Sequence, residues 1–473
     1  MTIKIIILLF IAGLNTFAWF NDTFDFGNTY IEWLPFISIF LSIIFVFPNF
    51  KSRSIEVKLL YLFLAGALYF NSSWYFVSLF DKNELLNFLL RFGISSSSFI
   101  KSNILMGISL PLIVMGYKLF ELNYAKRWIQ NRKSITNKPL RTTPCILISI
   151  ILLVLSLNVT GLKIGATYIG TSSYYYVLLY RMVLISCVAF STSSFIVRDN
   201  SGIGIKMISN NRLLFLLIIC FWGYVAIGGD RGPILATLII LFFGYLVINR
   251  MKVTYSQFIL FVLVIIGVYS LFNYISLFRI DASGSALSVE TFTRIYSTVI
   301  DYEQFSNSTQ RCTTLAIDGI EKGLYSHSNG LFFIQSLIKG IPYLGNIITD
   351  SILPDMPNGT ADLLTIQYSG IGYTSGIGTS YIADLYIEFG LIGIIIVSIL
   401  YGMMVSYFDY ISINQSFTSI SQYLLIAIFA GFTIYTGRGT LGGFFVYFIH
   451  TWIVYISIKF LLRFLGISIL KRK

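Results

Sequence analysis

Long apolar stretches recur from one end of this chain to the other, and they limit what it can fold into. Runs able to cross about 30 Å of hydrocarbon as helix lie near residues 3–20, 33–49, 59–78, 103–120, 143–158, 174–197, 213–228, 232–249, 257–278, 380–407, 420–436 and 441–465. Of the 473 residues, 56% are hydrophobic and 11% charged, more apolar surface than a soluble core of that size can hide, so lipid must be the solvent. Backbone polar groups in lipid must be satisfied within the segment, so runs of this length read as helices. The alternating pattern of an outer-membrane barrel is absent. The expected fold is therefore an all-α polytopic membrane protein with about twelve transmembrane helices.

One long hydrophilic loop, roughly residues 279–379, separates the ninth stretch from the tenth. The chain divides accordingly into helices 1–9 over residues 1–278, the loop over 279–379, and helices 10–12 over 380–473. A transporter needs little outside the bilayer, whereas an enzyme needs a reaction chamber, and this loop is the largest aqueous structure available for one.

Charge orients the helices. Lys4, Lys51, Arg53 and Lys58 flank the first two stretches. Lys126, Arg127, Arg132, Lys133, Lys138 and Arg141 follow the fourth, Arg198, Lys206 and Arg212 the sixth, Arg250 and Lys252 the eighth, and Lys471, Arg472 and Lys473 end the chain. With a cytoplasmic amino terminus all of these fall inside, and an even number of crossings returns the carboxyl terminus to the same side. The other face collects Asp22, Asp25, Glu32, Asp81, Glu84 and the acid-rich loop. This is a positive-inside pattern. The net charge of +12 is thus topological and calls for no nucleic-acid partner, although the cluster after the fourth stretch suits anionic lipid. The first stretch has a basic start but no small-x-small cleavage site in Asn15–Phe20, so it reads as a signal anchor.

Cys145, Cys187 and Cys220 lie inside stretches and Cys312 stands alone in the loop, so no disulfide framework is expected. No CxxC, HExxH or Walker-type loop occurs, and neither a metal nor a cofactor is expected.

Arginines gather on the face where positive charge is disfavoured. In Gly228-Gly229-Asp230-Arg231-Gly232-Pro233, Pro233 suits the first turn of a helix, and Arg231 falls at that helix's positive end. Amide donors and a guanidinium fork together make a diphosphate site; a tight turn with Asp230 paired to Arg231 is the plainer reading. Thr436-Gly437-Arg438-Gly439-Thr440 repeats the theme between the last two stretches. Arg279, Arg294 and Arg311 add three guanidiniums around the loop. Snorkelling explains any single one, but five together point to an anionic ligand.

The tenth stretch opens on Gly376-Ile377-Gly378-Thr379-Ser380, either a site of close backbone approach or a flexible loop end. Asp384 and Glu388 follow, four apart and so on one helical face. Buried carboxylates need a wet cavity or a cation, and Arg181 near the outer end of the sixth stretch is a partner on charge grounds. A structural ion pair and substrate positioning both fit. His327, in the loop, and Glu303 are candidate general bases, with solvated loop residues as the alternative; His450, inside the last stretch, reads as packing. Residues 331–348 are apolar but broken by Gly340 and Pro342, which suggests either an interfacial helix closing a chamber or a buried loop helix.

Several of these motifs resemble the Wzy-type O-antigen and oligosaccharide repeat-unit polymerases. The GGDRGP turn, the long outer loop before the antepenultimate stretch, and GIGTSYIADLYIEFGLIG carry the resemblance. Gly376, Gly378, Ser380, Ile382, Ala383, Asp384, Tyr386, Phe389 and Gly390 are similar to a Gly-x-Gly-x-Ser-x-Ile-Ala-(Asp/Glu)-x-Tyr-x-x-Phe-Gly stretch of that family. The loop segment ending in LFFIQSLIKGIPYLGN also resembles the family's loop, whereas the first half of the chain resembles it only in topology. Arg231, and Ser380 with Asp384, match position by position; His327 matches no family motif.

The resemblance implies a glycosyltransferase of C-like architecture in the bacterial inner membrane. It would join repeat units carried on undecaprenyl diphosphate into O-antigen or capsule at the outer face, by an inverting and metal-independent reaction. Arg231 and Arg438 are then expected on the diphosphate, helped by Arg279, Arg294 or Arg311. Glu303, Asp384 or His327 would be the base, in that order, while Arg181, Ser380 and Glu388 position substrate. A chain-length regulator is left open as a partner. A ligase moving glycan from the same carrier shares this chemistry and differs in its acceptor. A flippase or secondary transporter predicts two similar halves and short loops, and neither is evident.

Overall fold

A computed structural model describes residues 2–21, 29–46, 54–123, 142–160, 174–193, 211–227, 232–249, 251–254, 309–341, 344–352, 356–369, 378–414 and 419–466, with a few single residues between. It is nearly all helix. In chain order the described elements are α1 (Thr2–Trp19), α2 (Thr29–Val46), β1 (Ser54–Glu56), α3 (Leu59–Asn71), α4 (Ser73–Phe80), α5 (Lys82–Phe92), α6 (Ser96–Asn123), α7 (Thr142–Thr160) and α8 (Tyr174–Ser193). Then come α9 (Arg212–Ile227), α10 (Gly232–Ile248), β2 (Lys252–Thr254), α11 (Thr309–Glu321), α12 (Leu331–Lys339), α13 (Leu344–Ile352) and α14 (Thr360–Ser369). The last are α15 (Tyr381–Ile413), α16 (Ile420–Thr433), a 3₁₀ turn (Tyr435–Arg438) and α17 (Leu441–Phe464).

Helices occupy all the predicted crossings except the stretch near 257–278, most of which lies outside the described residues. Among the described residues, five helices are long and apolar enough to cross a membrane: α6, α7, α8, α15 and α17. The third predicted crossing is two helices, α3 and α4, bent by 61° at Ser72. Shorter apolar helical stretches of 10–17 residues lie within α1, α2, α9, α10 and α16. The architecture is that of a polytopic helical membrane protein.

Burial sorts these helices. The apolar window of α6 is 94% buried although it is apolar all round, which places it at the centre of the bundle. By contrast α7 and α17, at 17% and 22%, present Leu147, Ile151, Val154, Phe460 and Phe464 outward, as lipid-facing helices do. The central crossing is α6 on α15, and small residues make it possible. A methyl group at Gly402 would collide with the carbonyl of Ile113, and one at Gly116 with that of Ile399, so the two backbones approach in the close-packed manner of membrane helices.

One end of the bundle gathers the groups that charge patterning assigned to the inner face. β1 pairs antiparallel with β2, Ile55 opposite Val253, and so ties together two segments distant in the chain. Lys58 and Lys118 both bind Glu121, at 2.9 and 2.7 Å. Buried Asp409, near the far end of α15, accepts from the Leu59 amide at 2.7 Å and the Tyr117 hydroxyl at 3.0 Å. It thereby caps the start of α3.

The opposite end carries the described part of the long loop. α11 wedges between α6 and α15. Gln310 Oε1 accepts from the Trp74 and Tyr75 amides at 2.9 and 3.2 Å, while Gln310 Nε2 donates to Asn103 at 2.8 Å. The apolar segment expected as an interfacial cap packs against α17. Phe333 meets Phe445 with ring centroids 6.3 Å apart, and the Lys339 carbonyl accepts from His450 at 3.2 Å. That contact lies roughly 13 Å along α17 at 1.5 Å per residue. Leu331, Ile334, Ile341, Leu344 and Ile347 remain exposed on α12, α13 and the turn between them.

Candidate functional site

The start of α15 is built by its cap. Ser380 has extended backbone and its hydroxyl accepts from the Ala383 amide at 3.0 Å, which satisfies an otherwise unpaired amide of the first turn. The same hydroxyl pairs with Thr313 of α11 at 2.7 Å. Ser380, expected as a substrate ligand, also joins loop to membrane helix. One turn on, Asp384 is buried and Oδ1 accepts from Thr360, the first residue of α14, at 2.7 Å. The carboxylate therefore fastens a third element to the same place.

A kink follows. Gly390 has φ 64° and ψ −155°, a conformation open essentially only to glycine. The break frees the carbonyls of Tyr386 and Ile387 from their helical partners four residues on. The loop before α12 takes them over. His327 Nδ1 bonds the Tyr386 carbonyl at 2.8 Å, and the Ser328 amide donates to the Ile387 carbonyl at 2.9 Å. Ser328 also donates its hydroxyl to Glu388 Oε2. Glu388, 2% exposed, faces the amides of Gly330, Phe332 and Phe333 at the start of α12, where a carboxylate is favoured. Irregular backbone at such a position is tolerated because protein covers it.

This geometry fixes a tautomer. A carbonyl oxygen only accepts, so His327 Nδ1 must carry the proton, and in the neutral ring Nε2 is left with its lone pair. Nε2 lies beside Gly390, 3.2 Å from where a Cβ would stand. The half-buried imidazole sits edge-on to Tyr386 at 5.4 Å, and Tyr386 in turn meets Trp19 at 5.7 Å.

Two of the expected arginines, Arg438 and Arg311, lie on described elements. Arg438 ends the 3₁₀ turn and is exposed; Asn71 Nδ2 anchors that turn by donating to the Gly437 carbonyl at 2.8 Å. Arg311 lies on α11 with its guanidinium 5.4 Å from the Tyr368 ring of α14. Both guanidiniums act on the thiol of Cys312. Burial pushes that thiol up to about 11, while Arg311 and, less strongly, Arg438 pull it down. The turn is tied to α10 as well, because the Tyr435 hydroxyl donates to the Gly232 carbonyl at 3.3 Å. Gly232 is the residue after Arg231.

Arg181 is arranged differently from the expectation. It is 6% exposed, and its guanidinium lies 4.1 Å from the Tyr447 ring and 5.3 Å from that of Tyr180. Among the described residues it makes no ion pair with Asp384, Glu388 or any other carboxylate, and Nε and Nη1 have no hydrogen-bond partner. Aromatic faces, rather than the expected anion, hold this cation. Arg231, Arg279, Arg294 and Glu303 lie outside the described residues.

Gln310, Thr360 and Ser328 position the site, yet nothing in the sequence marks them, since each acts on a segment remote in the chain. Gly390 was visible within the matched motif, but not as a kink.

Over residues 1–468 the chain matches the model of a family described as O-antigen polysaccharide polymerase Wzy. No curated protein and no solved structure matches it.

Proposed function

The chain belongs to the O-antigen polysaccharide polymerase family, and from that premise we propose that it elongates surface polysaccharide from repeat units carried on undecaprenyl diphosphate. The reaction takes place at the outer face of the bacterial inner membrane, with both termini in the cytoplasm. A hydroxyl of one lipid-linked unit attacks the anomeric carbon of the growing chain. The new glycosidic C–O bond forms as the bond from that carbon to the diphosphate oxygen breaks. The bonding pair leaves with undecaprenyl diphosphate, and the hydroxyl proton passes to a base. A single displacement inverts the anomeric centre, and the energy comes from the glycosyl diphosphate itself.

The electrostatic influence of both Arg311 and Arg438 on Cys312 carries this reading. The departing diphosphate needs preorganised positive charge, and two guanidiniums from remote segments both act on one buried thiol. The bond between Tyr435 and Gly232 supports adding Arg231 to them, with Arg279 and Arg294 as further candidates from the loop. His327 is the base we favour. Its Nδ1 is occupied by a carbonyl, which leaves Nε2 to take a proton, whereas Asp384 is engaged by Thr360 in a buried joint. Charge neutralisation is assigned to guanidiniums, and the reading requires no metal.

Purified protein in detergent, given one undecaprenyl-diphosphate repeat unit and nothing else, tests this. We expect a ladder of longer lipid-linked products. If the native unit gives no ladder with folded protein, but is transferred to a separately added acceptor, the ligase reading replaces this one.

A further inference from the structure

Away from the arginines, α2, α4, α5 and the start of α6 enclose a cavity of about 170 Å³. It lies at the same end of the bundle as α11. Drug-sized ligands occupy sites of roughly 300–1,000 Å³, so this one suits a single ring-sized group. Glu32, Trp33, Tyr75, Lys82, Phe99 and Asn103 are among its walls.

The walls are rigid. The Tyr75 hydroxyl donates to the Glu32 carbonyl and accepts from the Phe36 amide at 3.1 Å. Asn103 Oδ1 accepts from Gln310, whose other atom holds the amides of Trp74 and Tyr75. The Glu32 carboxylate is unevenly served. Oε2 faces Lys82 Nζ at 3.4 Å, whereas Oε1 is buried without a hydrogen-bond partner. A buried acceptor left unpaired costs about 1–3 kcal/mol, so Oε1 calls for a donor from outside the protein. Trp33 offers aromatic surface, being 46% exposed.

These features select a chemistry. A phosphate or other anion would meet the Glu32 carboxylate, and an acyl chain would leave Oε1 unsatisfied. A sugar residue fits both demands, with an apolar C–H face for the indole and a hydroxyl proton for the carboxylate. The cavity also adjoins the proposed reaction centre, because Gln310, which bonds its Asn103 wall, is the residue before Arg311 on α11. We propose that this cavity is a subsite for one sugar residue of the bound glycan, with Glu32 and Trp33 as its determinants. The assignment rests on the polymerase reading for its ligand, though not for its test.

The probe is the repeat-unit oligosaccharide cut from the source cells' own surface polysaccharide, free of lipid and diphosphate, so binding is measured without turnover. Saturation-transfer NMR on the full-length protein in detergent should show it bound. Trp33→Ala, at a half-exposed position, and Glu32→Ala should each weaken binding about tenfold, the upper value of an aromatic contact. Arg438→Ala should leave this binding unchanged. Oligosaccharide binding lost in both variants, with no ladder from the wild type, would keep the subsite and remove the polymerase. Equal binding by wild type and by both variants, all of unchanged melting temperature, would overturn the subsite, as would no binding to the wild type. Water alone would then serve Oε1.

Discussion

At the scale of single residues, the candidate chemistry separates into groups that hold the site and groups left free to act. His327 does both, since Nδ1 staples a broken helix while Nε2 remains available. The two roles come apart in His327→Asn, whose side-chain amide can still donate to the Tyr386 carbonyl but cannot take a proton. We expect that variant to keep the wild-type melting temperature and lose turnover by about 10²–10⁴. Full turnover would reduce His327 to a staple. Cys312 makes a second test. It is fully buried, and its thiol is pushed up to about 11, so at pH 7.5 it is protonated and covered. Maleimide should leave it unmodified until the protein is denatured; rapid labelling of the native protein would contradict the packing of α11. Arg311 and Arg438 were legible as guanidiniums on the disfavoured face. Their shared influence on Cys312 was not, because it depends on packing between α11, α3 and the 3₁₀ turn.

At the scale of elements, the kink in α15 organises everything near it. It exposes two carbonyls, and His327 and Ser328 supply the donors that keep them satisfied. Gly390→Ala places a Cβ where φ is 64° and crowds His327. A loss of about 1–3 kcal/mol is expected, measurable as a lower melting temperature together with reduced activity; a variant of wild-type stability would mean the break is not imposed by this residue. The apolar residues of α15 identify a membrane helix from sequence, but hydropathy is blind to a single left-handed backbone position. Likewise, an apolar run broken by Gly340 suggested an interfacial or a buried loop helix without showing what it packs against. Its contacts with Phe445 and His450 place it along α17, a tertiary preference that periodicity does not encode.

At the scale of the whole molecule, helices stand where eleven of the predicted crossings were expected because hydropathy is local, and among the described residues five of them are long and apolar enough to cross a membrane. The 61° bend between α3 and α4 was not legible, since Ser72-Ser73 carries no breaker stronger than a pair of serines. β1 with β2 closes one end of the bundle, the one that holds Lys58, Lys118 and Glu121. Ile55 lies opposite Val253, and directly opposed Cβ atoms in a sheet are about 4.5–5.5 Å apart. Cysteines at both positions should therefore crosslink on mild oxidation, and failure to do so would separate the segments. For the orientation we propose, Thr254→Cys should react with an impermeant reagent only after the inner membrane is opened, and Arg438→Cys without opening it. The reverse pattern would invert the protein and remove the site from the side where lipid-linked units are joined.

The measurement closest to the central claim is the rate of undecaprenyl diphosphate release from purified wild type, Arg311→Ala, Arg438→Ala and the double variant, with one lipid-linked repeat unit as the only substrate. We expect each single variant, folded as judged by its melting temperature, to lose about 10²–10³ in rate, with the double variant losing less than the product of the two. Folded single variants that release undecaprenyl diphosphate at the wild-type rate would show that these arginines do not discharge the leaving group.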